Sequence, residues 1–206
     1  MPSPQTLTRE EVTTLISYAQ RAVPRHNPIR AQIRNHAILV TLLETGLRVD
    51  ELCRLQIGDL LFQGSPVRTL IVREEIAKRH KAREIPVSPL LSRTLLDCAN
   101  RLWTDHRFSP QTYCWYYVDP ARHISTRSVE HIIRSLATAA LGRPVHPHML
   151  RHTFATQLMK VAPTRVVQEL LGHANLSSTQ IYTHPDADDR AAAIAAKDAQ
   201  TNGATP

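Results

Sequence analysis

The last third of the chain carries four side chains that can handle protons or phosphate groups. His148 and Arg151 lie three residues apart, and His173 and Tyr182 lie nine apart, while Arg48 stands roughly a hundred residues upstream. Guanidinium groups can hold phosphate oxygens in pairs, histidine can exchange a proton, and a deprotonated tyrosine can act as a nucleophile. These residue types in this order therefore suit phosphoryl transfer by a tyrosine nucleophile.

Each of these residues also has an ordinary structural interpretation. Arg48 could simply pair with a nearby carboxylate, or Glu51 could fix its guanidinium so that it points at a phosphate. The HxxR pair is a weak signal alone, because residues three apart share one face of any helix. His173 could cap helix carbonyls, and Tyr182 could be a packed aromatic residue. The joint occurrence of all five favours the chemical interpretation.

Composition favours a polyanionic partner. The chain has 206 residues and a formal net charge of +7, enough for one domain with a real core. Its basic residues are mostly arginine, and only Lys78, Lys81, Lys160 and Lys197 are lysines. Arginine suits bidentate phosphate contacts better than lysine does. A basic protein with no such role remains an alternative on charge alone.

The cysteines and the ends of the chain indicate a cytosolic protein. Cys53, Cys98 and Cys114 are odd in number and widely spaced, so we expect neither a disulfide framework nor a CxxC metal site. Cys53 and Cys98 stand among apolar helical positions and are expected to be buried reduced thiols. The N-terminal residues lack the apolar stretch of a signal peptide, and no run of 18 apolar residues exists. We expect a cytoplasmic, nucleoid-associated protein.

Periodicity predicts a mainly α fold with a small three-stranded antiparallel β-sheet. A capping box of Thr8 and Glu11 opens the first helix. Predicted helices cover about 10–22, 29–45, 49–55, 89–101, 125–140, 147–161, 164–171, 177–183 and 186–199. Predicted strands cover 67–72, 84–87 and 113–118, and the first two form a hairpin with a basic connection. Residues 1–7 are expected to be a flexible N-terminus, 8–185 one catalytic domain, and 186–206 a tail with a possible oligomerisation helix and then a disordered end.

Three segments carry a resemblance to a known family. TGLRVDELCRL, HPHMLRHTFATQL and VVQELLGHANLSSTQIYTH resemble the three boxes of the tyrosine recombinases of the phage-integrase and Xer type. The resemblance extends over roughly residues 7–185. It implies the catalytic-domain fold of that family. It also places Arg48, His148, Arg151, His173 and Tyr182 at the catalytic positions.

The family's sixth catalytic position is a lysine in the β-hairpin. Relatives typically show a GKGxKxR-like turn, and spacing to the following arginine and proline aligns Lys78 with that lysine. The flanking glycines are absent here, so Lys81 is the alternative. The residues expected to contact DNA, from this hairpin and the start of a later helix, are Arg79, His80, Lys81, Arg83 and Arg127.

The resemblance implies a DNA strand transfer that needs neither metal nor ATP. Tyr182 would form a 3′-phosphotyrosine with the strand, His148 would accept its proton, and Lys78 would protonate the leaving 5′-oxygen. Double-stranded DNA with specific recombination sites, a homo-oligomer on DNA and accessory proteins are the implied partners. The chain starts almost at the catalytic domain, as in compact recombinases without the N-terminal core-binding domain, so we expect weakened intrinsic DNA affinity.

Three other functions stay open. The same residues could relax DNA as a type IB topoisomerase does, or a degenerate homologue could bind DNA and regulate without catalysis. A zinc site is the third, although the sequence has neither an HExxH glutamate nor a cysteine pair. Its candidate ligands are His146, His148, His152 and His173.

Overall fold

A computed structural model describes residues 6–24, 28–78, 80–105, 108–172 and 187–202. Its helices and strands are, in chain order, α1 (Arg9–Arg21), α2 (Pro28–Thr45), α3 (Val49–Cys53), α4 (Ile57–Leu60), β1 (Leu61–Phe62), β2 (Ser65–Pro66), β3 (Thr69–Val72), β4 (Arg83–Pro86), α5 (Pro89–Arg101), α6 (Thr126–Leu141), α7 (Pro147–Met159), α8 (Thr164–Leu171) and α9 (Ala187–Asn202). The predicted mainly α fold is confirmed. The helix predicted at 177–183 lies outside the described residues.

Helix α2 forms the centre of the core. It packs against α1, α5, α6 and α7, and every residue from Ala37 to Thr45 is buried. A helix that is apolar on all sides is stable only when neighbours surround it. Because the C-terminal half of α2 is buried, the connection from α2 to α3, which contains Arg48, begins at a well-defined position.

The termini of the helices follow their sequence signals. The Thr8 hydroxyl accepts the Glu11 N–H at 3.2 Å, and the Glu11 carboxylate accepts the Thr8 N–H at 2.8 Å, so the predicted capping box is confirmed. Gly172 ends α8 in the left-handed conformation, which glycine adopts without steric cost. Leu7, assigned to the flexible N-terminus, is buried and donates its N–H to Thr153 Oγ1 at 2.9 Å.

The described β-structure consists of two antiparallel hairpins, β1–β2 and β3–β4. The strand predicted at 113–118 is wrong, and so is the three-stranded sheet. Only Tyr113 makes a β-bridge, to Gln56. Cys114 and Trp115 are consecutive and both fully buried, whereas a strand on one sheet face would alternate. Cys114 and Trp115 therefore enter the core from a loop, and their backbone groups bond to Leu55 and Ile124 in other connections instead of to a strand.

Two local elements were not predicted. Helix α4 is a single turn, and the β1–β2 hairpin turns through Gln63 and Gly64, both with positive φ. A two-residue turn of this kind needs positive φ at both positions. The β3–β4 hairpin was predicted, and its strands pair from Thr69 with Pro86 to Val72 with Arg83.

The tail helix α9 packs on its own chain, against α7, α8 and β4. Ala193 and Ile194 are buried. Lys197 is also buried, and its Nζ lies 2.8 Å from Glu44 Oε1 at the end of α2. The predicted tail helix is confirmed over 187–199 and continues to Asn202.

The described cysteines are free and buried, which confirms the prediction made for Cys53 and Cys98 and extends it to Cys114. Burial is the largest cause that raises the pKa of the Cys53 thiol, to about 12, so this thiol stays protonated at neutral pH. Within the described ranges, no helix is long and apolar enough to cross a membrane.

Candidate active site

A buried carboxylate, Glu51, lies at the centre of the site. It belongs to α3, which begins directly after Arg48. Its side chain is 1% exposed and accepts the Arg48 N–H at 2.9 Å and Arg48 Nη1 at 3.0 Å. Burial acts to raise its pKa, but hydrogen bonds and charges from Arg83 and Arg48 outweigh burial and lower it to about 2. Glu51 is therefore ionised at neutral pH and holds the Arg48 guanidinium in place.

Arg83 is the second partner of Glu51. Its Nη1 and Nη2 lie 3.0 and 2.6 Å from the two Glu51 oxygens, and its Nε donates to the Leu170 carbonyl at 3.0 Å. The Arg83 side chain is 5% exposed. The surface DNA contact predicted for Arg83 does not agree with this placement. Both of its terminal nitrogens pair with the Glu51 carboxylate, which neutralises its charge, so Arg83 acts as a support for Glu51.

Arg151 extends from α7 towards the ends of two other helices. Its Nη1 donates to the Gly46 carbonyl and its Nη2 to the Leu171 carbonyl, each at 2.6 Å. These carbonyls lie at the C-terminal ends of α2 and α8, where helix dipoles place partial negative charge. Burial, and then the charges of Arg48 and Arg83, lower the pKa of Arg151 to about 10. It remains cationic at neutral pH.

The end of α8 brings the two predicted phosphate-binding arginines together. Arg151 donates to the Leu171 carbonyl, and Arg48 Nη2 lies 3.5 Å from the carbonyl of the next residue, Gly172. The Arg48 side chain is 27% exposed, so part of its guanidinium remains accessible. Residues 103 positions apart in sequence thus form one cationic cluster, organised by Glu51.

His148 lies on the exposed surface of α7, one turn before a second histidine. Its Nε2 is 2.8 Å from His152 Nε2, and the two rings meet edge to face with centroids 4.2 Å apart. Partial desolvation, and then the charges of His152 and Arg151, lower the pKa of His148. A histidine with a lowered pKa is neutral at pH 7 and can accept a proton.

The connection between β3 and β4 brings Lys78 to the edge of the cluster. Arg54 holds this connection through the Glu75 and Ile76 carbonyls, at 3.0 and 2.9 Å. The Lys78 backbone N–H points at Glu51 Oε1 from 3.5 Å, and its side chain is exposed. Lys78 can therefore approach a ligand bound by Arg48.

The other predicted residues fall into two groups. His80, Lys81 and Arg127 are exposed, the first two in the hairpin connection and Arg127 in the first turn of α6. The residues that lie outside the described part of the chain are Arg79, His173 and Tyr182. In the described ranges, no group of three or more His, Cys, Asp or Glu side chains is arranged to hold a metal ion.

Sequence reasoning missed two contacts of this site. Arg83 stands two residues before Ile85 in β4, and both side chains are buried; strand alternation was the signal that placed Arg83 inward. His152 follows His148 by four residues, the spacing that lets two side chains meet on a helix. Together the described side chains form a cationic cluster of Arg48 and Arg151 around Glu51, and the charge of Arg151 acts on His148.

Comparison with known proteins gives the family. A model described as the phage integrase family matches residues 5–189. The chain belongs to this family, the tyrosine recombinases. It is 39% identical over 157 residues to the tyrosine recombinase XerC of Pediococcus pentosaceus, covering 74% of this chain and 50% of that protein. It is 37% identical over 181 residues to the tyrosine recombinase XerA of Pyrococcus horikoshii, covering 87% and 56%.

Solved structures agree on the fold of this tyrosine recombinase. A crystal structure of XerA recombinase aligns with a TM-score of 0.66 at 32% identity, over 90% of this chain and 62% of that chain. The integrase of mycobacterium phage Brujita aligns with a TM-score of 0.66 at 26% identity, over 94% and 58%. The chain spans about half the length of the curated relatives it matches.

Proposed function

We propose that this protein is a site-specific DNA recombinase that cuts and rejoins strands through a phosphotyrosine on Tyr182. The observation that carries the proposal is the meeting of Arg48 and Arg151 at the end of α8, directly before His173. Two guanidinium groups that converge on one position can both donate hydrogen bonds to the oxygens of a single phosphate group. The family match over residues 5–189 includes all three segments that hold these residues.

The two arginines stabilise the charge that develops on the scissile phosphate. Attack on a phosphodiester builds negative charge on its non-bridging oxygens. Arg151 is buried and fixed, whereas Arg48 is partly exposed and held by Glu51. Donors fixed in advance cost no reorganisation during the reaction. In this proposal His173 adds a hydrogen bond to the same phosphate.

A proton transfer accompanies the bond that forms at phosphorus, and another accompanies the bond that breaks. The Tyr182 oxygen forms a bond to phosphorus as its proton passes to His148, and the bond from phosphorus to the 5′-oxygen breaks as Lys78 protonates that oxygen. The products are a 3′-phosphotyrosine and a free 5′-hydroxyl. A 5′-hydroxyl from another strand reverses these steps, regenerates Tyr182 and joins the new strand.

We further propose double-stranded DNA with specific recombination sites as the substrate, bound at the nucleoid. The net charge of +7 supports a polyanionic partner. His80 and Lys81 are exposed in the β3–β4 connection, and Arg127 is exposed in the first turn of α6, a helix that packs against α3. With Arg79, they contact the DNA backbone in this proposal. A dimer or tetramer forms on DNA, with accessory proteins where two sites must meet.

Covalent trapping on nicked DNA tests the proposal. Duplexes that bind are first selected from a random-sequence pool and then nicked beside the cleavage position, so that the released fragment diffuses away and religation stops. The wild-type protein is expected to form an adduct that survives denaturation in the presence of a chelator, whereas Tyr182→Phe forms none. The matched control is Tyr117→Phe, since Tyr117 is an exposed tyrosine of the 113–118 loop.

The outcomes separate the possible functions. Adducts with wild type and Tyr117→Phe but not with Tyr182→Phe support the proposal. An adduct that persists in Tyr182→Phe identifies another nucleophile and overturns it. Specific binding without any adduct overturns it in favour of a regulatory DNA-binding protein. Relaxation of a closed supercoiled circle that carries no pair of recombination sites, measured separately, favours a topoisomerase.

A further inference from the structure

His148 has a direct hydrogen-bond partner on its own helix. The Nε2 atoms of His148 and His152 are 2.8 Å apart, and the ring planes make an angle of 76°. His148 is exposed, while His152 is half-buried beside it. Two nitrogens at this distance require one proton between them, since two lone pairs or two N–H groups facing each other repel. One ring must donate and the other must accept.

This requirement decides which nitrogen of His148 can act as a base. If His148 accepts at Nε2, its only lone pair is already occupied, because Nδ1 then carries the ring's single proton. If His148 donates from Nε2, its Nδ1 keeps a free lone pair. Only the second arrangement leaves His148 able to take a proton from a nucleophile while keeping its bond to His152.

We propose that His152 is a positioning residue that accepts the Nε2 proton of His148 and so holds His148 in the tautomer whose Nδ1 is the proton acceptor. This inference rests on the proposed function, in which His148 takes the proton of Tyr182. After the transfer, His148 carries protons on both nitrogens and donates a charge-assisted hydrogen bond to neutral His152. Such bonds are shorter and stronger than neutral ones.

The surroundings support this assignment. Arg151 lies between the two histidines in sequence and its charge acts on His148, and it is fixed by the Gly46 and Leu171 carbonyls. A positive charge on His152 would repel the imidazolium of His148, because the two Nε2 atoms are only 2.8 Å apart. A neutral His152 that only accepts avoids that repulsion.

Substitutions at His152 distinguish hydrogen bonding from packing. His152→Gln places an amide oxygen close to where Nε2 lies, whereas His152→Phe keeps a ring without an acceptor. We expect the rate of adduct formation to fall roughly 10- to 100-fold in His152→Phe, by analogy with the loss seen when the hydrogen-bond partner that orients a metal-bound histidine is removed. The rate in His152→Gln should stay closer to that of wild type than the rate in His152→Phe does, because the glutamine amide oxygen keeps an acceptor.

Nitrogen-15 NMR of the free protein gives a readout that does not depend on catalysis. With His148 neutral, wild type and His152→Gln should show a protonated Nε2 and an unprotonated Nδ1 on His148, and His152→Phe should lose that preference. A protonated Nδ1 in wild type overturns the inference. Equal rates in wild type and His152→Phe overturn it, and so do equally slow His152→Gln and His152→Phe.

Two controls keep the test decisive. Urea unfolding shows whether His152→Phe folds; if it does not, His152→Asn replaces it, because its shorter side chain cannot reach the position of Nε2. If wild type forms no adduct with DNA at all, the proposed function fails, whereas the NMR measurement still decides whether His152 sets the tautomer of His148.

Discussion

Replacing Glu51 with glutamine tests the network that holds the two arginines. Glu51 and Arg83 are both almost fully buried and form two hydrogen bonds of 3.0 and 2.6 Å. The pKa of Glu51 is about 2 in the folded protein, against 4.5 for a free glutamate. A lowering of this size corresponds to about 3 kcal/mol of stability from the ionised carboxylate. The usual cost of breaking a buried ion pair, roughly 3–5 kcal/mol, agrees.

The pH dependence of this loss follows from the direction of the pKa shift. A carboxylate whose pKa is lowered by folding stabilises the protein fully above the unfolded pKa, near 4.5, and loses that contribution as pH falls through about 2. Glu51→Gln has no such group. The difference in unfolding free energy between wild type and Glu51→Gln should therefore be about 3 kcal/mol at pH 7 and about 2 kcal/mol at pH 3.5.

Urea unfolding followed by tryptophan fluorescence measures this difference, since Trp103 and Trp115 are both buried. The control is Glu84→Gln, the neighbouring position in β4, where the carboxylate is 51% exposed and pairs with Arg190. An exposed pair contributes less than about 1 kcal/mol. The reasoning is refuted if Glu51→Gln costs no more than Glu84→Gln, or if its cost does not change with pH.

Three further substitutions test other parts of the fold. Gly46→Ala should destabilise the protein by at least ~3 kcal/mol, because φ is +60° and an added Cβ would lie 2.4 Å from Phe154 Cδ1. Lys197→Met should cost roughly 3–5 kcal/mol, because it leaves the Glu44 carboxylate buried without its lysine. Thr8→Ala should cost about 1 kcal/mol through loss of the capping box.

The same urea titration measures all three, and each has its own contradicting result. A Gly46→Ala variant of unchanged midpoint would mean that the ring of Phe154 can move aside. If the Lys197→Met loss is no smaller when Glu44→Gln is added, the buried charge is not its cause. For Thr8→Ala, a loss equal to that of Thr13→Ala, an exposed mid-helix position on α1, would argue against capping.

Local features of the fold were readable from the sequence. The bounds of α5 and α8 were predicted to the residue, and α1 and α2 to within one, because caps and apolar periodicity are properties of a single segment. The β3–β4 hairpin was also predicted from the sequence, because its two strands are close together along the chain. The strand predicted at 113–118 was wrong, because strand-like composition does not determine whether a partner strand is available for pairing.

The sequence by itself determined the residue types of the candidate site, their order and the family they indicate. Arg48, Arg151 and His148 could be singled out without coordinates, because their spacing matches a known pattern. Only the tertiary structure decided what each side chain contacts. Arg83 points inward and bonds to Glu51, and the carbonyls at the end of α8 accept from both Arg48 and Arg151. Contacts between distant segments depend on how helices pack, and no local pattern encodes that packing.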